Sequence, residues 1–146
     1  MIVLLVPGQG SQTPGLLTPW LELPDARKSL AEFSDVAGMD LLSLGTTACA
    51  EQIRDTAVAQ PLLTAAALLS ARAVDQPLAA ICGHSVGEVA ALALAGVIEP
   101  LTAIHVAAER GRAMAEASAL RPTGMLVKNV IILIGDGMGI AHRTAA

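Results

Sequence analysis

The segment that most restricts how this chain can fold is Ile81–Ile98, where the motif GHSVG at Gly83–Gly87 joins a short apolar run to an alanine-rich stretch. This pattern predicts a strand, a tight turn and a helix. Such a turn lifts a serine hydroxyl clear of the backbone and aims the N–H of the next residue at a developing oxyanion. Ser85 is therefore a candidate nucleophile and Val86 a candidate oxyanion donor. The alternative is that Ser85 only caps the helix that follows.

The remaining apolar pattern predicts one α/β domain. Runs at Ile2–Val6 and Leu78–Cys82 predict buried strands, and helices are expected over residues 25–36, 87–95 and 101–119. A further helix is expected within 52–74, beginning at Pro61, because proline suits a first helical turn and favours an extended Gln60 before it. Strands that alternate with helices predict a parallel sheet, whose ligands lie beyond the carboxyl ends of the strands.

A second glycine-rich turn, PGQGSQ at Pro7–Gln12, follows the first expected strand and falls at the same edge of the sheet. Its two glycines allow the backbone of Gln9 to approach a substrate closely. An ordinary connection between a strand and a helix is the alternative interpretation.

Composition narrows the possible partners. The chain has 146 residues, is 53% hydrophobic and contains one Trp and one Phe, so we expect a single domain with a core of small aliphatic side chains. Its net charge is −4 and its nine Lys and Arg are scattered, which argues against nucleic acid. Cys49 and Cys82 have no metal or redox spacing, and no secretion signal or membrane span is evident, so we expect a soluble cytoplasmic protein.

Arg110 stands out among the charged residues because its neighbours at helical spacing are all apolar. Arg112 instead shares its helix face with His105, Glu109 and Glu116, which indicates a solvated face. An unpaired guanidinium on an apolar face is costly, so Arg110 is expected to have an anionic partner. That partner is either an internal Asp or Glu or the carboxylate of a substrate.

These motifs together resemble a known family. Their order is the one found in malonyl-CoA:acyl carrier protein transacylases of bacterial fatty acid synthesis and in the related acyltransferase domains of polyketide synthases. The motifs are PGQGSQ, VAQPLL at Val58–Leu63, GHSVGE, AGVI and ERGRAM at Glu109–Met114. The resemblance covers residues 1–125. It implies an α/β hydrolase-like acyltransferase core with a parallel sheet.

The resemblance also implies roles for individual residues. Ser85 would accept malonyl from CoA and pass it to the phosphopantetheine thiol of acyl carrier protein. The N–H groups of Gln9 and Val86 would form the oxyanion hole, Arg110 would pair with the malonyl carboxylate, and Gln60 would line the site. Malonyl-CoA and acyl carrier protein are the implied partners, and no cofactor is implied.

The resemblance stops near Met125. The family's ferredoxin-like subdomain and its catalytic histidine lie further along the family sequence, so the transacylase domain is expected to be incomplete and impaired. The histidines of this chain offer poor substitutes, because a base must reach the hydroxyl within hydrogen-bond distance. His84 is expected to project away from Ser85, His105 to lie on the surface, and His142 falls in the unrelated segment.

Residues 126–146 have a resemblance of their own. The run KNVIILIGDGMG at Lys128–Gly139 is similar to the first strand and metal-binding turn of alkaline phosphatases, which makes Asp136 a weak candidate metal ligand. One carboxylate cannot build a two-metal site, so a plain strand and turn is the preferred interpretation. Three rival functions stay open: a serine hydrolase, a metal-dependent phosphatase fragment, and a non-catalytic partial domain that binds acyl-CoA or another chain.

Overall fold

The computed structural model describes residues 2–120. In chain order these form strand β1 (Ile2–Val6), helices α1 (Ala26–Ala37), α2 (Leu41–Thr46) and α3 (Thr56–Ser70), strand β2 (Leu78–Gly83), and helices α4 (Gly87–Leu94) and α5 (Pro100–Leu120). Short 3-10 helices occupy Thr18–Glu22, Gln52–Arg54 and Ala71–Ala73. The two strands pair in parallel, with Val6 opposite Gly83, so the predicted α/β class with a parallel sheet is confirmed.

The strands are less buried than the sequence predicted. Side chains alternate along a strand, and Val6 is buried while Val3 and Leu5 are 45% and 72% exposed. Helix α4 packs on the sheet, and within residues 2–120 the face that carries Leu5 has no comparable cover. The prediction of two buried strands was therefore wrong for this part of the chain, because within residues 2–120 no layer comparable to α4 covers the face that carries Val3 and Leu5.

Helix α3 begins five residues before the predicted start at Pro61. Asp55 caps its first turn by accepting a hydrogen bond from the N–H of Ala57, and Pro61 lies inside the helix. This cap allows α3 to start earlier in the chain, because a side-chain acceptor at this position satisfies an otherwise unpaired N–H. Gln60 is consequently helical rather than extended, and the prediction for this residue was wrong.

The core lies among the helices. Helix α3 is buried on nearly all sides and packs most extensively against α5, with α4, α1 and α2 around it. Small residues line this contact, and Ala59, Ala66, Ala103, Ala107 and Ala108 are all buried. The largest fully enclosed side chains are Phe33, Leu17, Leu30, Leu41, Ile53, Leu62, Leu69 and Ile104. The predicted core of small aliphatic residues is thus present.

Helix α2 was not predicted, because only six residues form it. Asp40 caps it: its carboxylate accepts hydrogen bonds from the N–H of Ser43 at 3.0 Å and from the hydroxyl of Ser43 at 2.6 Å. Those hydrogen bonds stabilise the charged carboxylate and lower the pKa of Asp40 below its ordinary value. Among residues 2–120, no helix combines the length and apolar character needed to cross a membrane.

Candidate functional site

The turn between β2 and α4 has the shape that a nucleophile elbow requires. Ser85 adopts a left-handed backbone conformation with φ of 57°, which is rare outside glycine. This conformation costs energy, and it persists only where the surrounding structure holds the residue in place. Close contacts with neighbouring backbone leave no room for a side chain at the two flanking glycines, Gly83 and Gly87. A Cβ on Gly83 would lie 2.4 Å from the backbone of Glu88, and one on Gly87 would lie 2.4 Å from the carbonyl oxygen of Val6. The predicted strand, turn and helix around Ser85 are confirmed.

The glycine-rich turn after β1 lies against this elbow. A Cβ on Gly8 would be 3.1 Å from the Cβ of Ser85 and 2.7 Å from the carbonyl oxygen of His84. The hydroxyl of Ser11 donates to the carbonyl oxygen of Gly8 at 2.9 Å, which holds the turn in shape. The backbone next to Gln9 therefore approaches the elbow as closely as a residue without a side chain permits.

Two backbone donors of the site have no partner in the described part of the chain. The N–H groups of Gln9 and Val86 donate no hydrogen bond to any acceptor of residues 2–120. Val86 is only 1% exposed, and a buried N–H without an acceptor is unfavourable unless something else accepts from it. The arrangement can therefore supply hydrogen bonds to an oxygen that approaches Ser85, which is the role predicted for these two residues.

A hydrogen bond fixes the position of the Gln9 side chain. Its Nε2 donates to the Oγ1 of Thr56, the first residue of α3, at 2.9 Å. Thr56 and Gln60 are four residues apart on this helix and so lie on one face. One face of α3 thus holds both the turn that carries Gln9 and the glutamine predicted to line the site.

Arg110 contacts Gln60 rather than a carboxylate. Its Nη1 donates to the Oε1 of Gln60 at 2.6 Å, and the only ion pair found within residues 2–120 joins Arg112 to Glu109. Arg110 is half-buried, not fully buried, because Val106 and Met114 beside it on α5 are themselves about 40% exposed. The internal Asp or Glu considered as a partner is not found among the described residues, where no carboxylate pairs with the guanidinium.

Gln60 is fully buried and each of its polar groups has a partner. Its Oε1 accepts from Arg110, its Nε2 donates to the Sδ of Met114 at 3.2 Å, and its carbonyl oxygen accepts from the Thr64 hydroxyl at 2.9 Å. We call Arg110, Gln60 and Met114 the arginine site. Within residues 2–120 the guanidinium bonds to one neutral amide and to no acid, and this leaves it able to bind an anion.

The elbow packs on the same two helices, α3 and α5, that carry the arginine site. Val86 packs with Leu63 of α3 and Ala107 of α5 in a small buried group. Gln60 precedes Leu63 by three residues and Arg110 follows Ala107 by three, a spacing that puts neighbours one helical turn apart. Gln60 and Arg110 therefore lie about one helical turn along α3 and α5 from the two residues that pack on Val86.

Neither described histidine serves Ser85. The Oγ of Ser85 makes no hydrogen bond within residues 2–120, so neither His84 nor His105 reaches it. The ring of His84 lies near Gly8, where a Cβ would be 2.7 Å from its Nδ1. His105 is exposed on α5 near Glu109, whose pKa is lowered mainly by the hydrogen bond from Arg112. His142 lies outside the described residues.

No group of three His, Cys, Asp or Glu side chains that could hold a metal ion occurs in residues 2–120. Asp136, the weak metal candidate, lies outside that range, as does the rest of the phosphatase-like segment. The two cysteines, Cys49 and Cys82, are free and exposed.

Sequence reasoning missed two residues of the site. Thr56 was hidden because the predicted start of α3 at Pro61 left it outside the helix. Met114 was noted only as an apolar neighbour of Arg110, although an interval of four residues on a helix already placed it beside the guanidinium. Nothing in the sequence could show that its sulfur would face Gln60.

Comparison with known proteins gives a consistent result. The model of the family described as "Acyl transferase domain" matches residues 3–131. The malonyl CoA-acyl carrier protein transacylase of Mycobacterium tuberculosis is 54% identical over 153 residues, which cover 98% of this chain and 48% of the relative. The human mitochondrial malonyl-CoA-acyl carrier protein transacylase is 37% identical over 131 residues, covering 85% of this chain and 34% of the relative.

Solved structures that are similar to this chain include transacylases as well. A crystal structure of the protein named MCAT from Mycobacterium tuberculosis matches with a TM-score of 0.77 and 53% identity over 84% of this chain and 42% of that one. A malonyl-transacylase in complex with a type II PKS acyl-carrier protein matches with a TM-score of 0.70 and 36% identity, over 79% of this chain and 39% of that one. This chain spans about half the length of the mycobacterial relatives to which it is similar.

Proposed function

This chain belongs to the acyl transferase domain family, and from that membership we propose that its Ser85 accepts a malonyl group from CoA and passes it to the phosphopantetheine thiol of acyl carrier protein. The observation that carries the proposal is the left-handed Ser85 between β2 and α4, in contact with the turn at Gly8. Ser85 does not cap α4, whose N-cap residue is Val86, and strained backbone of this kind concentrates at functional sites.

The proposed reaction has two steps. The Oγ of Ser85 attacks the carbonyl carbon of the malonyl thioester, the C–S bond breaks, and CoA leaves as a thiol after taking up the proton that the serine lost. The thiol of the carrier protein then attacks the malonyl ester, the C–O bond to Ser85 breaks, and the serine recovers its proton. Both steps pass through a tetrahedral intermediate with negative charge on the former carbonyl oxygen.

The oxyanion of both intermediates would lie between the N–H groups of Gln9 and Val86. Their lack of an acceptor among residues 2–120 and the close approach of Gly8 to Ser85 support this assignment. Backbone donors are well suited to the role because the fold holds them in place before reaction and no reorganisation is needed.

Arg110 would bind the free carboxylate of the malonyl group. Its partner within residues 2–120 is a neutral amide, so the guanidinium has further N–H donors beyond the one that Gln60 engages. A carboxylate bound there would select malonyl over acetyl groups. Gln60 would hold the guanidinium in place and line the site.

The general base is the part of the proposal that the described residues do not supply, since neither His84 nor His105 contacts Ser85. In serine proteases the oxyanion hole and binding alone retain a rate advantage of roughly 10³–10⁴ over water when triad members are removed. We therefore expect the 146-residue chain to be acylated slowly and at Ser85 alone.

Incubation with malonyl-CoA followed by intact-protein mass spectrometry tests the proposal. We expect the wild type to gain one malonyl group over hours, with peptide mapping to Ser85, and Ser85→Ala to gain none. Ser118→Ala, which removes an exposed hydroxyl at the far end of α5, serves as the matched control and should behave like the wild type. A label at another residue, or an equal label in Ser85→Ala, would contradict the proposal. Release of free malonate in place of transfer to added carrier protein would favour the serine hydrolase instead.

The boundary between a partial transacylase domain at 1–125 and a separate segment at 126–146 stays a prediction, and so does the similarity of that segment to phosphatases. The family match reaches residue 131. A cytoplasmic location is proposed with the reaction, and the free, exposed thiols of Cys49 and Cys82 are compatible with a reducing compartment.

A further inference from the structure

We infer that Met114 is a positioning residue, whose sulfur fixes the direction in which the Gln60 carboxamide faces and thereby holds the Arg110 guanidinium. The inference rests on the proposed function of Arg110 and extends it to a side chain without charge. Gln60 makes hydrogen bonds to both residues, donating to Met114 at 3.2 Å and accepting from Arg110 at 2.6 Å.

The orientation of the amide follows from the chemistry of its partners. A guanidinium has only donors, so it can bind the oxygen of the amide and not its NH₂ group. A thioether sulfur has only acceptor capacity, so it can bind the NH₂ group and not the oxygen. The two neighbours therefore require the same orientation, and a flipped amide would lose both hydrogen bonds.

Burial makes the sulfur important. Gln60 is 0% exposed, and no buried polar side-chain atom within residues 2–120 lacks a hydrogen-bond partner. No other acceptor among the described side chains or backbone groups bonds to the Nε2 of Gln60. Without the sulfur this NH₂ group would be buried and unpaired, and the amide would rotate or shift to find an acceptor. Arg110 would then lose the group that holds it.

Two substitutions separate the sulfur from its volume. Met114→Leu keeps an apolar side chain of similar size and removes the acceptor, whereas Met114→Gln offers an amide oxygen as a new acceptor at similar reach. Met114 is 41% exposed, so both side chains can be accommodated at the edge of α5. The first readout is the Gln60 side-chain NH₂ signal in ¹H–¹⁵N spectra of the ligand-free full chain, assigned with Gln60→Leu. The second is the affinity for free malonate, with acetate as the probe that lacks the second carboxylate.

In Met114→Leu we expect the Gln60 NH₂ protons to shift and to exchange with solvent about tenfold faster, and malonate affinity to fall by about 5- to 10-fold with little change for acetate. Met114→Gln should restore both to within about twofold of the wild type. Unchanged NH₂ signals in Met114→Leu, or equal losses in both variants, would overturn the inference. The NH₂ readout does not depend on acyl transfer: a shift without acylation of Ser85 would keep the positioning role and refute the proposed function.

Discussion

The elbow at Ser85 and the arginine site are held in place by different groups of the protein. The elbow is fixed by backbone against backbone: Cβ atoms on Gly83 or Gly87 would come within 2.4 Å of main-chain atoms. The arginine site is fixed by side chains, through the bonds that Gln60 makes to Arg110 and Met114. A change that adds one methyl group should therefore destroy the first, whereas the second should tolerate substitution and lose function in steps.

Gly87→Ala should have the largest effect, because it tests the backbone contact directly. The added Cβ would lie 2.4 Å from the carbonyl oxygen of Val6 and 2.7 Å from that of Pro7, and neither backbone group can move aside cheaply. Overpacking costs typically 1–3 kcal/mol and occasionally more, and for backbone contacts we expect a loss of about 3 kcal/mol or more. Urea unfolding monitored by circular dichroism would measure it, and acylation at Ser85 should disappear.

Gly38→Ala is the matched control for that substitution. Gly38 ends α1 with φ of 68° and has open space where a Cβ would be, so alanine there adds strain without a clash. A left-handed alanine costs about 1–2 kcal/mol. If Gly87→Ala destabilised the chain no more than Gly38→Ala, the elbow would not be fixed by contact and the contrast with the arginine site would fail.

Arg110→Ala should have the next largest effect, and only on one substrate. If the guanidinium binds the malonyl carboxylate, the rate of Ser85 acylation by malonyl-CoA should fall about 10- to 100-fold, as expected for a hydrogen bond to a charged group worth about 1.5–3 kcal/mol. Acylation by acetyl-CoA should change less than about threefold, because that group has no second carboxylate to pair.

Arg112→Ala removes the same charge two residues away and controls for general attraction of anionic CoA. Arg112 pairs with Glu109 on the exposed side of α5 and also donates to the carbonyl oxygen of Ala37. It should leave the ratio of malonyl to acetyl acylation unchanged. Equal losses for both acyl groups in Arg110→Ala would exclude the carboxylate role and leave a structural one.

The contrast between the two regions also explains what the sequence could predict. The elbow was predicted in position and form because glycine spacing, an apolar run and a helical pattern are all local signals. The exposed face of Leu5 was not, because burial depends on layers contributed from elsewhere in the fold. The start of α3 was placed too late, since the prediction began the helix at the proline at 61 and did not consider the cap that Asp55 provides.

The arginine site shows what local sequence patterns could not predict. Helical spacing placed Arg110 beside Met114, and the apolar neighbours of Arg110 indicated that its charge needed a partner. The sequence could not show that this partner would be a neutral amide from another helix. Gln60 and Arg110 are separated by 50 residues along the chain, and only the packing of α3 on α5 brings them together. The resemblance to a family supplied Gln60 as a site residue where the physical pattern of the sequence did not.

Thr56→Val should have the smallest effect, and it tests a hydrogen bond between the turn that carries Gln9 and the helix that carries Gln60. The Oγ1 of Thr56 accepts from the Nε2 of Gln9 at 2.9 Å, one turn before Gln60 on α3. Valine keeps the shape and removes the acceptor, so the turn that carries the N–H of Gln9 should become less well held while the arginine site stays intact. Because Gln9 is exposed and such a bond contributes only about 0.5–1.5 kcal/mol, acylation by malonyl-CoA and by acetyl-CoA should both fall about two- to tenfold.

Thr56→Ser retains the hydroxyl and should restore both rates, since serine can accept the same bond. The equal loss for the two acyl groups distinguishes this variant from Arg110→Ala, and a loss confined to malonyl-CoA would show that Thr56 acts through Gln60 rather than through the oxyanion turn.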